Sequence, residues 1–236
     1  MKNKKRTFLG KIFRLIKRAI LAFFILSILT VLIYRFLPVV ITPLMVIRMG
    51  EQIFDGESPK LNKVWVPIEE MSPNIVQAAI TAEDQNFHNH MGFDIKAMKQ
   101  AFKNNKKGKK IKGGSTISQQ AAKNIFLWPS RSYVRKAFEG YFTLLMELTW
   151  SKKRIMEVYL NVIEMGDGIY GVEMAAQKYF HKSAKKLTKG ESALIVACFP
   201  NPRRWNASKP TGYIKRRQQW IMSNMGKMRR VDWTKK

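Results

Sequence analysis

The chain has 236 residues, of which 46% are hydrophobic, enough for a packed core and too many for a disordered chain. Its 43 lysines and arginines outnumber 16 aspartates and glutamates, so the formal net charge is +27. This surplus favours a partner that carries phosphate: nucleic acid, an anionic membrane surface or a phosphorylated substrate. The single cysteine, Cys198, excludes an intrachain disulfide and lies in an apolar run that predicts a buried side chain.

The N-terminus predicts a membrane anchor. Residues 1–18 carry eight basic side chains and no acidic one, and residues 19–34 follow without a charge. With Phe36 and Leu37 continuing the apolar pattern, a single transmembrane helix is expected over residues 19–37. A signal peptide is the alternative, but no small-residue cleavage site follows. The positive charges predict that residues 1–18 form a cytoplasmic tail and that the rest lies outside the cytoplasmic membrane, which disfavours nucleic acid as a partner.

The remainder predicts a connector and then a mostly α-helical domain. Prolines and glycines punctuate residues 36–71, which indicates short extended pieces, with Val64–Val66 as the strand candidate. We take residues 38–64 as the connector and residues 65–236 as the outer domain. Capping residues and apolar periodicity predict helices over residues 73–83, 95–104, 117–124, 131–149, 152–164, 191–198 and 211–228.

Two short patterns do not carry the chemistry that their spacing suggests. Residues 166–171 match G-x-G-x-x-G, but they follow a predicted helix rather than a strand, so a dinucleotide site is not expected. We interpret them as a tight turn between helices. His88 and His90 lack a third ligand in view, which disfavours zinc.

The densest group of reactive side chains lies in residues 82–94, which include Glu83, Asp84, His90 and Asp94. A carboxylate at a helix–loop junction can be partly desolvated, which suits it to general acid–base chemistry. The alternative is that these acids are solvated at a helix end. Further along, the glycine-led helix start at residues 113–116 presents free backbone N–H groups, which attract anions.

Four stretches, in order, closely resemble the peptidoglycan glycosyltransferase (transglycosylase) family across roughly residues 65–225. They are Glu83-Asp84-x-x-Phe87-x-x-His90-x-Gly92-Phe93-Asp94, Gly113-Gly114-Ser115-Thr116-Ile117-Ser118-Gln119-Gln120-x-x-Lys123-Asn124, Arg135-Lys136-x-x-Glu139 and Ile155-Met156-Glu157-x-Tyr159-Leu160-Asn161. Ser118 and Met156 replace the commoner threonine and leucine, and both changes are conservative.

The resemblance implies a lysozyme-like α fold and the monofunctional biosynthetic type, since no transpeptidase domain follows. The implied reaction polymerises lipid II into linear glycan strands during bacterial cell wall synthesis. A sugar 4-hydroxyl of one molecule attacks C1 of the other with inversion, and polyprenyl diphosphate leaves. Lipid II and the growing glycan chain are the expected partners, and other cell-wall synthesis or division proteins stay open.

The resemblance also implies residue roles. Glu83 matches the catalytic glutamate and is the expected base, and Glu139 is the second carboxylate, assisting departure of the diphosphate. His90 and Asp94, with Asp84, are expected to support the Glu83 loop. No cofactor is expected, and a divalent cation (Mg²⁺ or Mn²⁺) near Glu139 is left open. The residues expected to bind substrate are Lys123, Arg131, Arg135, Lys136, Ser115, Gln119, Gln120 and Asn124.

Two rival functions remain at this point. A glycan-cleaving enzyme on the same fold would use one catalytic glutamate and would have little need for the Lys123 and Arg131 cations. An inactive anchored scaffold would bind lipid II or proteins without turnover, and retention of both glutamates argues against it.

Overall fold

The computed structural model describes residues 2–106, 114–130, 132–228, 231 and 233. The chain divides into two compact units, residues 1–37 and 38–236. The first contains one helix, α1 (Lys2–Tyr34), in which residues 10–34 are long and apolar enough to cross a membrane. At about 1.5 Å per residue these 25 residues exceed the roughly 30 Å hydrocarbon core of a bilayer.

The expectation of only extended pieces over residues 36–71 is wrong, because helix α2 (Pro43–Phe54) lies there. Its N-cap is Thr42, whose hydroxyl accepts a hydrogen bond from the Met45 N–H at 3.3 Å, and Pro43 takes the first helical position. Proline therefore starts a helix here rather than interrupting one. Gln52 near its end is buried and donates to Asp167 at 3.0 Å, which fixes α2 to a distant part of the domain.

The expectation of a mostly helical domain is confirmed. The other helices of the described chain are α3 (Pro73–Glu83), α4 (Ile95–Lys106), α5 (Ile117–Phe126), α6 (Tyr133–Thr149), α7 (Lys152–Val162), α8 (Val172–Phe180), α9 (Lys189–Cys198) and α10 (Gly212–Met225), with 3₁₀ turns at Ile68–Glu70 and Ala184–Lys186. Ser72, Ser151 and Thr188 cap α3, α7 and α9 as their sequences predicted, and Thr211, the predicted first residue of the last helix, caps α10. The long helix α6 begins later than expected, because its cap is Ser132.

The predicted turn between helices at residues 166–171 is also wrong. Strands β2 (Glu164–Gly166) and β3 (Ile169–Tyr170) form a hairpin there, and β1 (Asn62–Lys63) pairs with β3 in parallel. The strand in the connector thus lies just before Val64. Asp167 and Gly168 form the hairpin turn, and Gly168 has φ +64°, a left-handed conformation that such turns require.

The core of the domain is built by helices that carry the candidate site. Helix α9 packs against α3 and α10, and α5 packs against α6 and α7. In α3 all residues from Ile75 to Thr81 are buried, and Tyr159 of α7 and Phe87 after α3 are among the largest fully buried side chains. Residues at the ends of α3 and along α5 are therefore held by close packing on several sides.

The hairpin turn makes a prediction about stability. A Cβ at Gly168 would lie 2.4 Å from the Lys60 Cβ and 2.8 Å from the Lys60 carbonyl oxygen, whereas a Cβ at Gly56 (φ +77°) meets nothing within 4 Å. We expect Gly56→Ala to cost about 1 kcal/mol from its backbone conformation alone. Gly168→Ala should cost roughly 1–3 kcal/mol more, because the backbone at Lys60 must move. Denaturant unfolding of the full chain measures both, and equal losses would contradict the hairpin geometry.

Candidate active site

Glu83 ends helix α3, and its carboxylate is held from two other helices. Gln120 Nε2 on α5 donates to Glu83 Oε2 at 2.9 Å, and Arg217 Nη2 on α10 lies 3.3 Å from Glu83 Oε1. The Glu83 side chain is 15% exposed. It is therefore a mostly buried carboxylate with an open edge, and the alternative of a solvated acid at a helix end is wrong.

The loop that follows Glu83 is fixed by Asp84. The buried Asp84 carboxylate lies 2.9 Å from His90 Nε2 and accepts the Ile117 backbone N–H at 3.0 Å. Ile117 opens helix α5, so the carboxylate sits at a helix N-terminus, where negative charge is stabilised. One side chain thereby connects the end of α3 with the start of the helix that carries Gln120.

Asp94 closes the other end of this loop. Its carboxylate accepts from the Ala97 N–H at the start of α4 and from Asn86 Nδ2, both at 2.8 Å. These two hydrogen bonds lower the pKa of Asp94. Lys152 adds a third contact by donating to the His90 carbonyl at 2.7 Å while lying over the Phe87 ring. These contacts support the expectation that Asp84, His90 and Asp94 brace the loop.

The second carboxylate, Glu139, is buried in helix α6, with 3% of its surface exposed. Arg135 Nη1 donates to Glu139 Oε2 at 2.7 Å, and Lys136 Nζ donates to Oε1. The burial distinguishes this cluster from an ordinary surface ion pair. Lys136 Nζ also lies 3.4 Å from Ser115 Oγ, which brings the start of α5 to the same cluster.

The surroundings of Glu139 do not suit a divalent cation. Both of its carboxylate oxygens already accept hydrogen bonds from cations, and Lys123 adds positive charge nearby. A metal ion needs several free oxygen ligands, and this environment instead favours an anion. Within the described ranges, no group of three or more histidine, cysteine, aspartate or glutamate side chains is arranged to hold a metal.

A cavity of about 640 Å³ is lined by a hydrogen-bond partner of each carboxylate, Gln120 for Glu83 and Arg135 for Glu139. Its polar lining comes from α2, α5, α6, β2 and the loop before α6, and includes Arg48, Gln120, Lys123, Asn124, Ser130, Arg135 and Glu164. Gln120 lines the cavity and also contacts Glu83, so Gln120 lies between the candidate base and the cavity. A smaller cavity of about 230 Å³ includes Glu83, Asp84, Asp94 and Ser115 in its lining.

Lys123 is the cation available to a ligand in the larger cavity. Arg48 and Arg135 are paired with glutamates, whereas Lys123 makes no ion pair or hydrogen bond with the residues that the structure describes. Its side chain reaches solvent but lies within the concave surface. Partial desolvation lowers the pKa of Lys123, nearby Arg135 and Lys136 lower it further, and the charge on Glu139 opposes them.

Comparison with known proteins decides the family. A model described as Transglycosylase matches residues 50–226. The chain belongs to the transglycosylase family. Proteins called biosynthetic peptidoglycan transglycosylase are similar to it: one from Bdellovibrio bacteriovorus is 52% identical over 210 residues (89% of this chain, 84% of the relative). Those from Bacteroides thetaiotaomicron and Caulobacter vibrioides are 50% and 49% identical, covering 91% and 92% of this chain and 87% and 94% of theirs.

These similarities confirm the predicted lysozyme-like fold and the enzyme class. The transglycosylase is a peptidoglycan glycosyltransferase that polymerises glycan strands in cell wall synthesis. The rival interpretation as an inactive scaffold is thereby set aside.

Three of the residues predicted to bind substrate lie in different surroundings. Gln119 is buried in a capping box, where its Oε1 accepts from the Thr116 N–H at 3.0 Å, so its amide serves the helix start. Asn124 is nearly buried at the cavity wall. Arg131 lies outside the described residues.

Sequence reasoning missed three side chains of the site. Arg217 shares a face of α10 with the buried Ile214 and Ile221, and an arginine on an apolar stripe is a signal for a buried partner. Arg48 lies on α2, in the stretch whose prolines and glycines predict a connector. The apolar pattern predicts that Glu164 ends a helix, whereas it begins β2. It lines the cavity, burial raises its pKa, and Arg48 Nε lies 3.4 Å away.

The lowered pKa of Lys123 predicts a pH dependence of anion binding. The ammonium is lost as pH rises, and at a lower pH than for an ordinary lysine. Inorganic diphosphate should therefore bind progressively more weakly at alkaline pH, by about tenfold once the charge-assisted hydrogen bond is gone. Lys123→Arg keeps a cation at all these pH values and should retain binding.

Calorimetric titration of both proteins between roughly pH 7 and pH 10 tests this, since the ionisation of the probe is common to both. Superimposable pH curves would show that Lys123 does not titrate in this way.

Proposed function

We propose that this transglycosylase joins two lipid II molecules with Glu83 as the general base. The carboxylate of Glu83 takes the proton of the acceptor 4-hydroxyl while that oxygen attacks C1 of the donor sugar. The bond between C1 and the diphosphate oxygen breaks with inversion, and polyprenyl diphosphate leaves. The observation that supports this most is that Gln120 both binds the Glu83 carboxylate and lines a cavity that carries cations.

The leaving diphosphate is bound by cations on α5 and α6. Lys123 is unpaired with the described residues, so it gains a partner when an anion enters the cavity. Arg135 and Lys136 are oriented by Glu139, and two cations fixed in advance stabilise developing phosphate charge without rearrangement. Glu139 thus acts by positioning these cations, and the mechanism contains no metal step. Arg131, expected in the same role, is a further candidate for this cluster.

The acceptor approaches Glu83 from the smaller cavity. That cavity is lined by Glu83, Ser115 and Asn86, whose oxygen and nitrogen atoms suit the hydroxyls of a sugar. The growing glycan chain and the incoming lipid II thus occupy the larger and the smaller cavity, respectively. The roles of Gln120 and Asn124 in binding sugar or phosphate are part of this proposal.

Glu83→Gln tests the base directly. The amide has nearly the same shape but cannot accept the hydroxyl proton, so the rate of lipid II polymerisation should fall at least about 100-fold. Lipid II binding should remain measurable because the cation cluster is unchanged. Glu70→Gln is the matched control, since Glu70 is an exposed glutamate paired only with Lys185 among the described residues.

Polymerisation by Glu83→Gln at the unmodified rate would exclude Glu83 as the base. Parallel incubation of the unmodified protein with purified sacculi separates synthesis from cleavage: release of soluble fragments without lipid II consumption would indicate a glycan-cleaving enzyme.

We further propose that α1 anchors the chain in the cytoplasmic membrane with its basic N-terminus inside and residues 38–236 on the outer face. The run of positive charge before the apolar segment supports this orientation. Protease added to spheroplasts should digest the domain and leave an N-terminal tag intact. Protection of the domain in intact spheroplasts, with digestion only after lysis, would reverse the orientation.

A further inference from the structure

The Glu83 carboxylate is one member of a four-residue hydrogen-bonded network. Its Oε2 accepts from Gln120 Nε2 at 2.9 Å, and its Oε1 lies 3.3 Å from Arg217 Nη2. The other end of the Gln120 amide, Oε1, accepts from the Tyr159 hydroxyl at 3.0 Å. The network thus joins four helices, α3, α5, α7 and α10, at the carboxylate.

Tyr159 determines which end of the Gln120 amide faces Glu83. An amide has a donor end and an acceptor end, whereas an ionised carboxylate has only acceptor oxygens. Tyr159 is fully buried; burial raises its pKa well above the usual value, and the charges of Glu83 and Asp84 raise it further. The hydroxyl therefore stays protonated and donates to Gln120 Oε1, which leaves the NH₂ group directed at Glu83.

Arg217 holds the second carboxylate oxygen from the opposite side. Ile214 and Ile221, one turn away in each direction on α10, are buried, so this helix face is anchored in the core. Arg217 Nε is buried without a hydrogen-bond partner in the described part of the chain. Glu83 is thus the acceptor that the structure shows for this guanidinium, and a planar guanidinium restricts the carboxylate that it binds.

We propose that Tyr159 and Arg217 are positioning residues for the reaction, fixing the two oxygens of Glu83 through Gln120 and directly. The proposal rests on Glu83 being the general base. A base must lie within hydrogen-bond reach of the hydroxyl it deprotonates, and a displacement of about 1 Å can cost on the order of 100-fold in rate. Neither side chain needs to touch the substrate for this role.

The test is steady-state kinetics on lipid II with the full chain. Tyr159→Phe should lower kcat about tenfold and Arg217→Gln about 10- to 100-fold, with KM changed less than about twofold, since orientation of the base matters in the transition state and not for binding. Arg217→Lys should recover part of the loss, because lysine keeps the charge but not the planar group.

Two matched controls separate orientation from stability. Tyr179 is another tyrosine with a raised pKa caused by burial, and its hydroxyl donates to the Met165 carbonyl at 2.8 Å, away from the network. Arg216 is the exposed neighbour of Arg217 on α10. Tyr179→Phe and Arg216→Gln should keep kcat within about twofold, while Tyr179→Phe should lower the melting temperature as much as Tyr159→Phe does.

A kcat within twofold of the unmodified protein for both Tyr159→Phe and Arg217→Gln would overturn the proposal, as would a loss that the controls share or one confined to KM. If Arg217→Gln does not fold, Tyr159→Phe and Arg217→Lys decide alone. Glu83→Gln separates failure of the proposed function from failure of this proposal. Activity in that variant refutes Glu83 as the general base. If Glu83→Gln is inactive and the Tyr159 and Arg217 variants are fully active, only the positioning role is refuted.

Discussion

The site depends on the Asp84 carboxylate more than on any other single contact. It accepts the N–H that opens α5, in a buried hydrogen bond, and binds His90 in a partly buried one. It thereby ties the end of α3 to the start of α5, the two helices on which Glu83 and Gln120 lie and are themselves hydrogen-bonded. Removing one partner of a buried carboxylate leaves an uncompensated polar group, so the arrangement is strongly specified.

The two candidate carboxylates have different surroundings. Glu83 keeps an edge open to solvent while its oxygens are held by Gln120 and Arg217. Both oxygens of Glu139 are paired with Arg135 and Lys136, and the neighbouring Lys123 has no ion pair with the described residues. The same residue type therefore occurs in two environments that suit different roles: accessible and hydrogen-bonded in one case, buried and neutralised in the other.

Several helix starts could be predicted from the sequence. Serine and threonine caps predicted the starts of α3, α7 and α9, because a side-chain oxygen just before an apolar helical pattern usually accepts the first free N–H groups of a helix. The same rule applied to Thr42-Pro43 would have located α2, and Asp167-Gly168 is a hairpin signal that the preceding helix pattern obscured. In both cases the proline or glycine has a specific structural role: Pro43 starts a helix and Gly168 forms a hairpin turn.

The sequence by itself determined the family resemblance, the anchor segment, most helix starts and the two candidate carboxylates, because these depend on local spacing and on residue chemistry. Only the tertiary structure decided that Arg217, 134 residues after Glu83, pairs with it, that Arg48 and Glu164 line the cavity, and that Tyr159 orients Gln120. These contacts join helices far apart in the chain. Their geometry follows from how α3, α5, α7 and α10 pack, and local sequence patterns do not encode that packing.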